Sequence, residues 1–190
     1  MKVLGIMCSP RRGGNTEILL QTALDSAREA GAEVEMLRVA GMKIAPCDGC
    51  LSCETTGVCH IKDDMQVVSD KMLEADAIVL GSPVYWFGVS AQAKIVIDRT
   101  YALYVNDKKL KNKVTGCVVT AIRSGCHGAI EQMNSFFLCH RTNPVYWATG
   151  YGDNKGDVKK DEDGLSGARR LGQSVVDALK LRAPRTTAAS

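Results

Sequence analysis

The stretch Val3-Leu4-Gly5-Ile6-Met7-Cys8-Ser9-Pro10-Arg11-Arg12-Gly13-Gly14-Asn15-Thr16 decides how the chain is read. Residues 2–8 form a short apolar run, which predicts a buried strand. Ser9 to Thr16 is a polar, glycine-rich turn. Beyond it Ile18, Leu19, Thr22, Ala23, Ala27 and Ala30 recur at helical spacing, and Gly31 ends that helix. In a strand–turn–helix junction the backbone N–H groups and the positive helix end favour a phosphate. Ser9, Asn15 and Thr16 add neutral donors, Arg11 adds charge, and Gly13 and Gly14 let the backbone turn. The turn lacks G-x-x-x-x-G-K-[ST], so it is not an ATP-binding loop, and it lacks the dinucleotide pattern G-x-G-x-x-G. A single terminal phosphate, as on FMN, fits better. The competing reading is an ordinary polar turn with an Asn cap.

Outward from this unit the pattern repeats. Residues 33–39 alternate, consistent with a second strand nearer a sheet edge. Residues 40–62 have no periodicity, and a loop of that length is usually functional. Asp63-Asp64 reads as a helix start, with Met65, Val68, Met72 and Leu73 on one face. Residues 77–81 predict a third, fully buried strand, residues 82–88 a loop, and the following residues a helix to about Tyr104. A fourth strand is expected over 114–121, then a helix from about His127 to His140, a fifth strand over 143–149 and a polar, glycine-rich stretch over 150–163. A last amphipathic helix spans 165–181, and 183–190 reads as a frayed tail.

Strands alternating with helices predict an α/β fold: a doubly wound, five-stranded parallel sheet with helices on both faces. Right-handed crossovers leave few topologies, and the flavodoxin-like order 2-1-3-4-5 is expected. Residues 1–182 should be one domain. Ligands in such sheets bind beyond the carboxyl ends of the strands, so the turns after strands 1, 3 and 4 should converge. Ser82, Pro83, Val84, Tyr85, Trp86 and Phe87 follow strand 3, and the three aromatics offer a surface on which a flat ring system could stack. Their alternative role is a small local core. Ala121, Arg123 and Gly125 follow strand 4, beside Cys126 and His127.

The loop over 40–62 holds Cys47, Cys50, Cys53 and Cys59, half of the eight cysteines, in the form C-x2-C-x2-C-x5-C. A cubane iron–sulfur cluster asks for four thiolates, and the glycines at 49 and 57 allow the chain to wrap. The bacterial ferredoxin run has a shorter last gap, and its fourth cysteine serves another cluster. The longer gap here lets Cys59 return to the same one. Zinc would more often use two separated pairs. Free thiols and disulfides also compete, and His60 reads as a bystander. Cys8, Cys117, Cys126 and Cys139 look like small buried residues.

Hydrophobic content of 45% and charged content of 24% are ordinary for a globular chain. A net charge of +3 with no basic cluster beyond Lys108, Lys109, Lys111 and Lys113 argues against nucleic acid, and that run reads as a solvated turn. No apolar stretch approaches membrane-spanning length and no signal peptide is evident, so a cytoplasmic protein is expected. In that reducing compartment the cysteines point to metal or redox chemistry.

With these residues on the page, the chain resembles the iron–sulfur flavoproteins of the flavodoxin-like, NAD(P)H-dependent FMN reductase superfamily. The resemblance runs from residue 2 to about 180. It rests on Ser9-Pro10-Arg11 with Gly14-Asn15-Thr16, on the cysteine run followed by Lys62-Asp63-Asp64-Met65, and on Gly81-Ser82-Pro83-Val84-Tyr85-Trp86. Ser90, Lys94, Asp98-Arg99 and Leu171-Gly172 extend it. It differs from the family after strand 4, where paired glycines are usual, and at Cys8, where a smaller residue is usual. The resemblance implies FMN bound by the three turns and a [4Fe–4S] cluster on Cys47, Cys50, Cys53 and Cys59. It also implies a homodimer or homotetramer in which each cluster lies close to a neighbour's flavin.

The expected function is a redox flavoprotein passing electrons between a donor such as ferredoxin or NAD(P)H and a small acceptor. Alternatives are a cluster-free NAD(P)H-dependent FMN or quinone reductase, a non-catalytic flavodoxin-like carrier, and a zinc-stabilised binding module. Since the cysteine loop follows strand 2, beside strand 1, cluster and flavin are expected on one face of the molecule.

Overall fold

A computed structural model of the chain describes residues 1–182. The tail expected over 183–190 lies outside them. Five parallel strands form the sheet: β1 (Lys2–Met7), β2 (Glu33–Arg38), β3 (Ala77–Tyr85), β5 (Val114–Ala121) and β6 (Asn143–Tyr151). Their order is β2-β1-β3-β5-β6, and a short β4 (Gly88–Val89) pairs antiparallel with the end of β3. The five parallel strands thus follow the expected 2-1-3-4-5 order, and β2 is indeed at an edge.

Helices α1 (Asn15–Glu29) and α7 (Glu162–Arg182) cover one face of the sheet. They pack closely because Gly172 has no side chain; a Cβ there would overlap the carbonyl oxygen of Ala23. The other face carries α3 (Met65–Glu74), α4 (Ala91–Arg99), α5 (Tyr101–Val105) and α6 (Cys126–Cys139). Met65, Val68 and Met72 point into this second core from α3, as their spacing predicts, whereas Leu73 is 37% exposed.

Four segments differ from the sequence reading. The loop expected after residue 81 is partly strand: β3 continues to Tyr85 and turns through Trp86-Phe87 into β4. The single helix expected to Tyr104 is two. Between them Thr100 donates its hydroxyl to Ile97 O at 2.6 Å. The cysteine loop contains one short helix, α2 (Ser52–Thr56). The polar stretch after 150 begins with the end of β6 and holds a 3-10 turn over Asp157–Lys160. Lys113 is also not a solvated-turn residue: its ammonium donates to Leu73 O and Ala75 O, closing the end of α3, and burial lowers its pKa. Cys139 is exposed, while Cys8, Cys117 and Cys126 are buried as expected.

Candidate functional site

The turns after β1, β3, β5 and β6 meet at the carboxyl edge of the sheet around a cavity of about 100 Å³. Ser9, Arg11, Gly14, Asn15 and Thr16 form one wall, Pro83 to Tyr85 another, and Thr120 to Ile122 a third. Helix α1 opens at this cavity from Gly14, whose backbone is extended and which supplies no side-chain cap. The first N–H groups of the helix therefore remain for an anion. Three N–H groups of the turn are already engaged: Arg11 donates to Ser9 Oγ (3.2 Å), Gly14 to Arg11 O (3.3 Å) and Gly13 to Glu17 Oε2 (2.5 Å), and Glu17 also pairs with Arg38.

The side chain of Asn15 does something the sequence did not suggest. Its Oδ1 accepts from the N–H of Gly156 (2.8 Å) and Val158 (3.3 Å), and its Nδ2 donates to Gly152 O (3.1 Å) and Asn154 O (3.0 Å). All four contacts go to the loop after β6, so Asn15 builds the far wall of the cavity. Thr16 is paired through its hydroxyl to Thr120 at 2.6 Å, joining the first turn to β5. Positive charge at the cavity comes from Arg11 and from Lys155. Lys155, Gly152, Asp153, Thr120 and Ile122 line the cavity but were not singled out in the sequence. The β6 loop was legible as polar and glycine-rich, but only the Asn15 contacts carry it across to β1.

A second cavity of about 470 Å³ adjoins the first, sharing Val84, Ala121, Ile122 and Asp153 with it. Trp86, Phe87, Arg123 and Ser124 complete its lining. Trp86 and Phe87 are the two central residues of a tight hairpin turn, both at positive φ (49° and 63°). Such turns normally take Asn or Gly, and bulky aromatics there are strained. Strain of this kind persists where it serves a site. Trp86 is 97% exposed and Phe87 67%, so they do not form a local core.

The turn after β5 locks against this hairpin. Gly125 has φ +92°, and a Cβ on it would lie 2.9 Å from Val84 Cγ1. A Cβ on Gly128 would overlap the carbonyl oxygen of Phe87. Close approach is thus secured by Gly125 and Gly128, with Cys126 and His127 between them; His127 is exposed. Ser82 points away from both cavities. Its hydroxyl donates to Pro83 O (2.8 Å) and accepts from Ser90 N (2.9 Å), while the Ser90 hydroxyl donates to Cys8 O (2.8 Å). Ser82 and Ser90 therefore brace the β1 and β3 ends from beneath.

The cysteine run lies elsewhere. None of its residues lines either cavity. The loop leaves β2 at the carboxyl edge and then packs along the outer helices: Tyr101 donates to Glu54 at 2.5 Å, and Asn106 to Cys53 O at 3.4 Å. Thus only the start of the loop shares the flavin-side edge expected from sequence. Cys47 and Cys50 are exposed, Cys59 is half-buried and Cys53 is buried. Burial raises the pKa of Cys53, and the neighbouring thiolates of Cys59, Cys50 and Cys47 raise it further. Gly49, Leu51 and Gly57 all have positive φ (71°, 60° and 77°), the backbone wrapping that four thiols around one object require. This donor set fits a cubane cluster. His60 pairs with Asp48 at 2.7 Å, and these two lie with Cys50 in one exposed group. By contrast Cys8 and Cys117 are core thiols, with burial pushing Cys117 up to about 12.

Strand order, an anion-ready turn at the switch point and an aromatic shelf beside it define a flavodoxin-like flavin oxidoreductase. Residues 1–150 match the family of NADPH-dependent FMN reductases. An iron–sulfur flavoprotein of Methanocaldococcus jannaschii is 44% identical, over 95% of this chain and 98% of its own. One from Archaeoglobus fulgidus is 36% identical, over 95% of this chain and 81% of its own. The solved NAD(P)H:quinone oxidoreductase of Methanothermobacter marburgensis superposes with a TM-score of 0.71 at 19% identity, over 92% of this chain and 98% of that one, and so shares the fold. The chain belongs to the NADPH-dependent FMN reductase family, among its iron–sulfur flavoproteins. Among the described residues no helix is long and apolar enough to cross a membrane.

Proposed function

We propose that this protein holds FMN and one [4Fe–4S] cluster and passes electrons between a donor such as ferredoxin or NAD(P)H and a small acceptor. The observation that carries this reading is the coexistence of two prepared regions in one chain: an open helix start with an aromatic shelf beside it, and four cysteines on one tightly turning loop. Bound FMN exchanges electrons in pairs or singly and a cubane cluster singly, so together they join two-electron and one-electron partners. Arg11, Lys155 and the open end of α1 would hold the FMN phosphate. Trp86, Phe87 and Ile122 would flank the ring, with Arg123 at its rim. Cys47, Cys50, Cys53 and Cys59 would hold the cluster.

The same chain's cysteines pack against α4 and α5, while its flavin cavities open between the β3 and β5 turns. That separation favours a homodimer or homotetramer in which one chain's cluster faces its neighbour's flavin. The exposed Trp86, Phe87 and Ile122 support such an assembly, since burial against a second copy would cover this apolar surface. Working in the cytoplasm, where thiols stay reduced, suits a free cysteine run.

Anaerobic purification followed by iron, sulfide and flavin analysis tests the reading. The expected result is a brown protein with one FMN and roughly four iron atoms per chain, the content of one cubane cluster. A yellow, iron-free protein would leave a flavin reductase without a cluster. Zinc on the exposed Asp48, Cys50 and His60 group would likewise overturn the cluster assignment.

A further inference from the structure

Both ends of the cysteine loop meet one buried side chain. Arg99, in the last turn of α4, has a side chain only 1% exposed. Its Nη1 donates to Asp63 Oδ2 (2.6 Å) and Ala45 O (2.7 Å), and its Nη2 to Asp63 Oδ1 (3.0 Å) and Ile61 O (3.4 Å). Asp63 in turn accepts from the N–H of Ala45 (2.9 Å) and of Met65 (3.0 Å). Residues 45 and 61–65 bracket the four cysteines, so this pair closes the loop like a buckle.

The fifth N–H of the guanidinium is left over. Among the described residues, Nε is sealed from solvent and has no hydrogen-bond partner. An unmatched buried donor is costly. Cys59 lines the same small cavity as Arg99, about 80 Å³, and the negative charge of its thiolate form would favour the guanidinium.

We infer that Arg99 is a positioning and tuning residue for the metal-bearing run: through Asp63 it fixes the two ends of the loop, and through Nε–H it donates to Cys59 Sγ, raising the cluster's reduction potential. The inference rests on the cluster reading above. Adding an electron makes the cluster and its thiolates more negative, and an N–H aimed at a ligand sulfur stabilises that reduced form. Asp63 offsets most of the buried positive charge, so the tuning comes from the directed donor rather than from net charge. Arginine suits the task because its rigid fork can hold a carboxylate with two nitrogens while a third faces elsewhere, and it stays charged when buried. Lysine could pair with Asp63, but its three donors radiate from one nitrogen and do not reproduce a planar fork with a separate Nε–H.

The test uses the full chain, purified anaerobically with its cofactors. Iron and sulfide content and the cluster midpoint potential, from a titration followed by electron paramagnetic resonance, are measured for wild type, Arg99→Lys and Arg99→Gln. Arg99→Lys should keep near wild-type iron and show a lower potential. Arg99→Gln should lose iron through loosening of the loop, with a lower potential in the fraction retained. An unchanged potential in Arg99→Lys at full iron content overturns the inference alone. A wild-type chain without iron overturns the cluster reading and this inference with it. If neither variant folds, wild type labelled with nitrogen-15 arginine decides: pulsed resonance on the reduced cluster should show an arginine nitrogen coupled to it, and absence of that coupling rejects the assignment.

Discussion

The first turn and the cysteine loop are the two regions proposed to hold a cofactor, yet they are built in opposite ways. The first turn is short and tied at every point. Asn15 binds the β6 loop four times, Thr16 pairs with Thr120, and glycines at 125 and 128 let the aromatic hairpin close against α6. Its geometry is complete in the chain alone. The cysteine loop is long, largely exposed, and fastened mainly by the Arg99–Asp63 buckle and two contacts to α2. Its backbone is wrapped, but its thiols are not yet prepared for a metal: burial, and then the charge of the other cysteines, raises Cys53. The difference matches the proposed cofactors: a rigid cradle suits a ready-made anion, while a loosely pinned loop suits a group that completes it on binding.

The comparison breaks most visibly at the cysteines. Cys50→Ser should abolish most bound iron while FMN content stays near wild type, because no cysteine lines either cavity proposed for the flavin. Ferredoxin-driven flavin reduction, followed by rapid mixing, should then be largely lost, and reduction by NAD(P)H kept. Equal ferredoxin-driven rates in both proteins would take the cluster off the electron path.

Removing charge from the cradle comes next. A hydrogen bond to a charged group contributes roughly 1.5–3 kcal/mol, so Arg11→Ala should weaken FMN about ten- to a hundredfold. Riboflavin, which lacks the phosphate, should bind wild type and variant alike. A wild type that binds FMN and riboflavin equally well would show that the turn holds no phosphate.

Rigidity itself is tested at Gly128. Alanine there forces a methyl group into the Phe87 carbonyl, an overpacking that typically costs about 1–3 kcal/mol. The melting temperature should fall and FMN affinity with it, whereas iron content should change little. A variant with wild-type melting would mean that the hairpin yields freely and that the cradle is not rigid.

The smallest effect belongs to the buckle. Hydrogen bonds from Arg99 hold the Asp63 carboxyl below its usual range. A pKa that is lower in the folded than in the unfolded state contributes stability above the unfolded value, near pH 4, and loses it as pH falls through the folded value. In the metal-free chain, protease cutting within residues 45–63 should therefore rise below about pH 4. Asp63→Asn should be cut more readily above that pH, and the gap to wild type should close below it. A constant gap from pH 3 to 7 would show that ionisation of Asp63 does not fasten the loop.

Much of this was legible in the chain. Period and turn chemistry gave the parallel strands and their order, since an apolar run followed by a glycine-rich turn and an apolar 3.6-residue stripe has few other folds. The β3 hairpin was not legible, because Trp86 and Phe87 are poor candidates for a turn that demands positive φ; tertiary packing against Gly125 and Gly128 overrides their preference. The break between α4 and α5 escaped for a similar reason. Thr100 is a plausible helix residue until its hydroxyl turns back on Ile97 O.

What the sequence determined by itself is the set of local commitments: a five-stranded doubly wound sheet, an anion turn at its switch point, and four cysteines at a spacing one metal group can span. Each follows from neighbours along the chain, where spacing and backbone preference act directly. Only the tertiary structure decided the roles that join distant segments. It sent the Asn15 side chain to the β6 loop, turned Ser82 inward to Ser90, brought Lys155 to the cavity at the first turn, and set Arg99 across both ends of the cysteine loop. These side chains are polar, and a polar group near the core must find its hydrogen bonds wherever the fold places a partner. That partner is 137 residues away for Asn15 and 54 for Arg99, a separation no local pattern encodes.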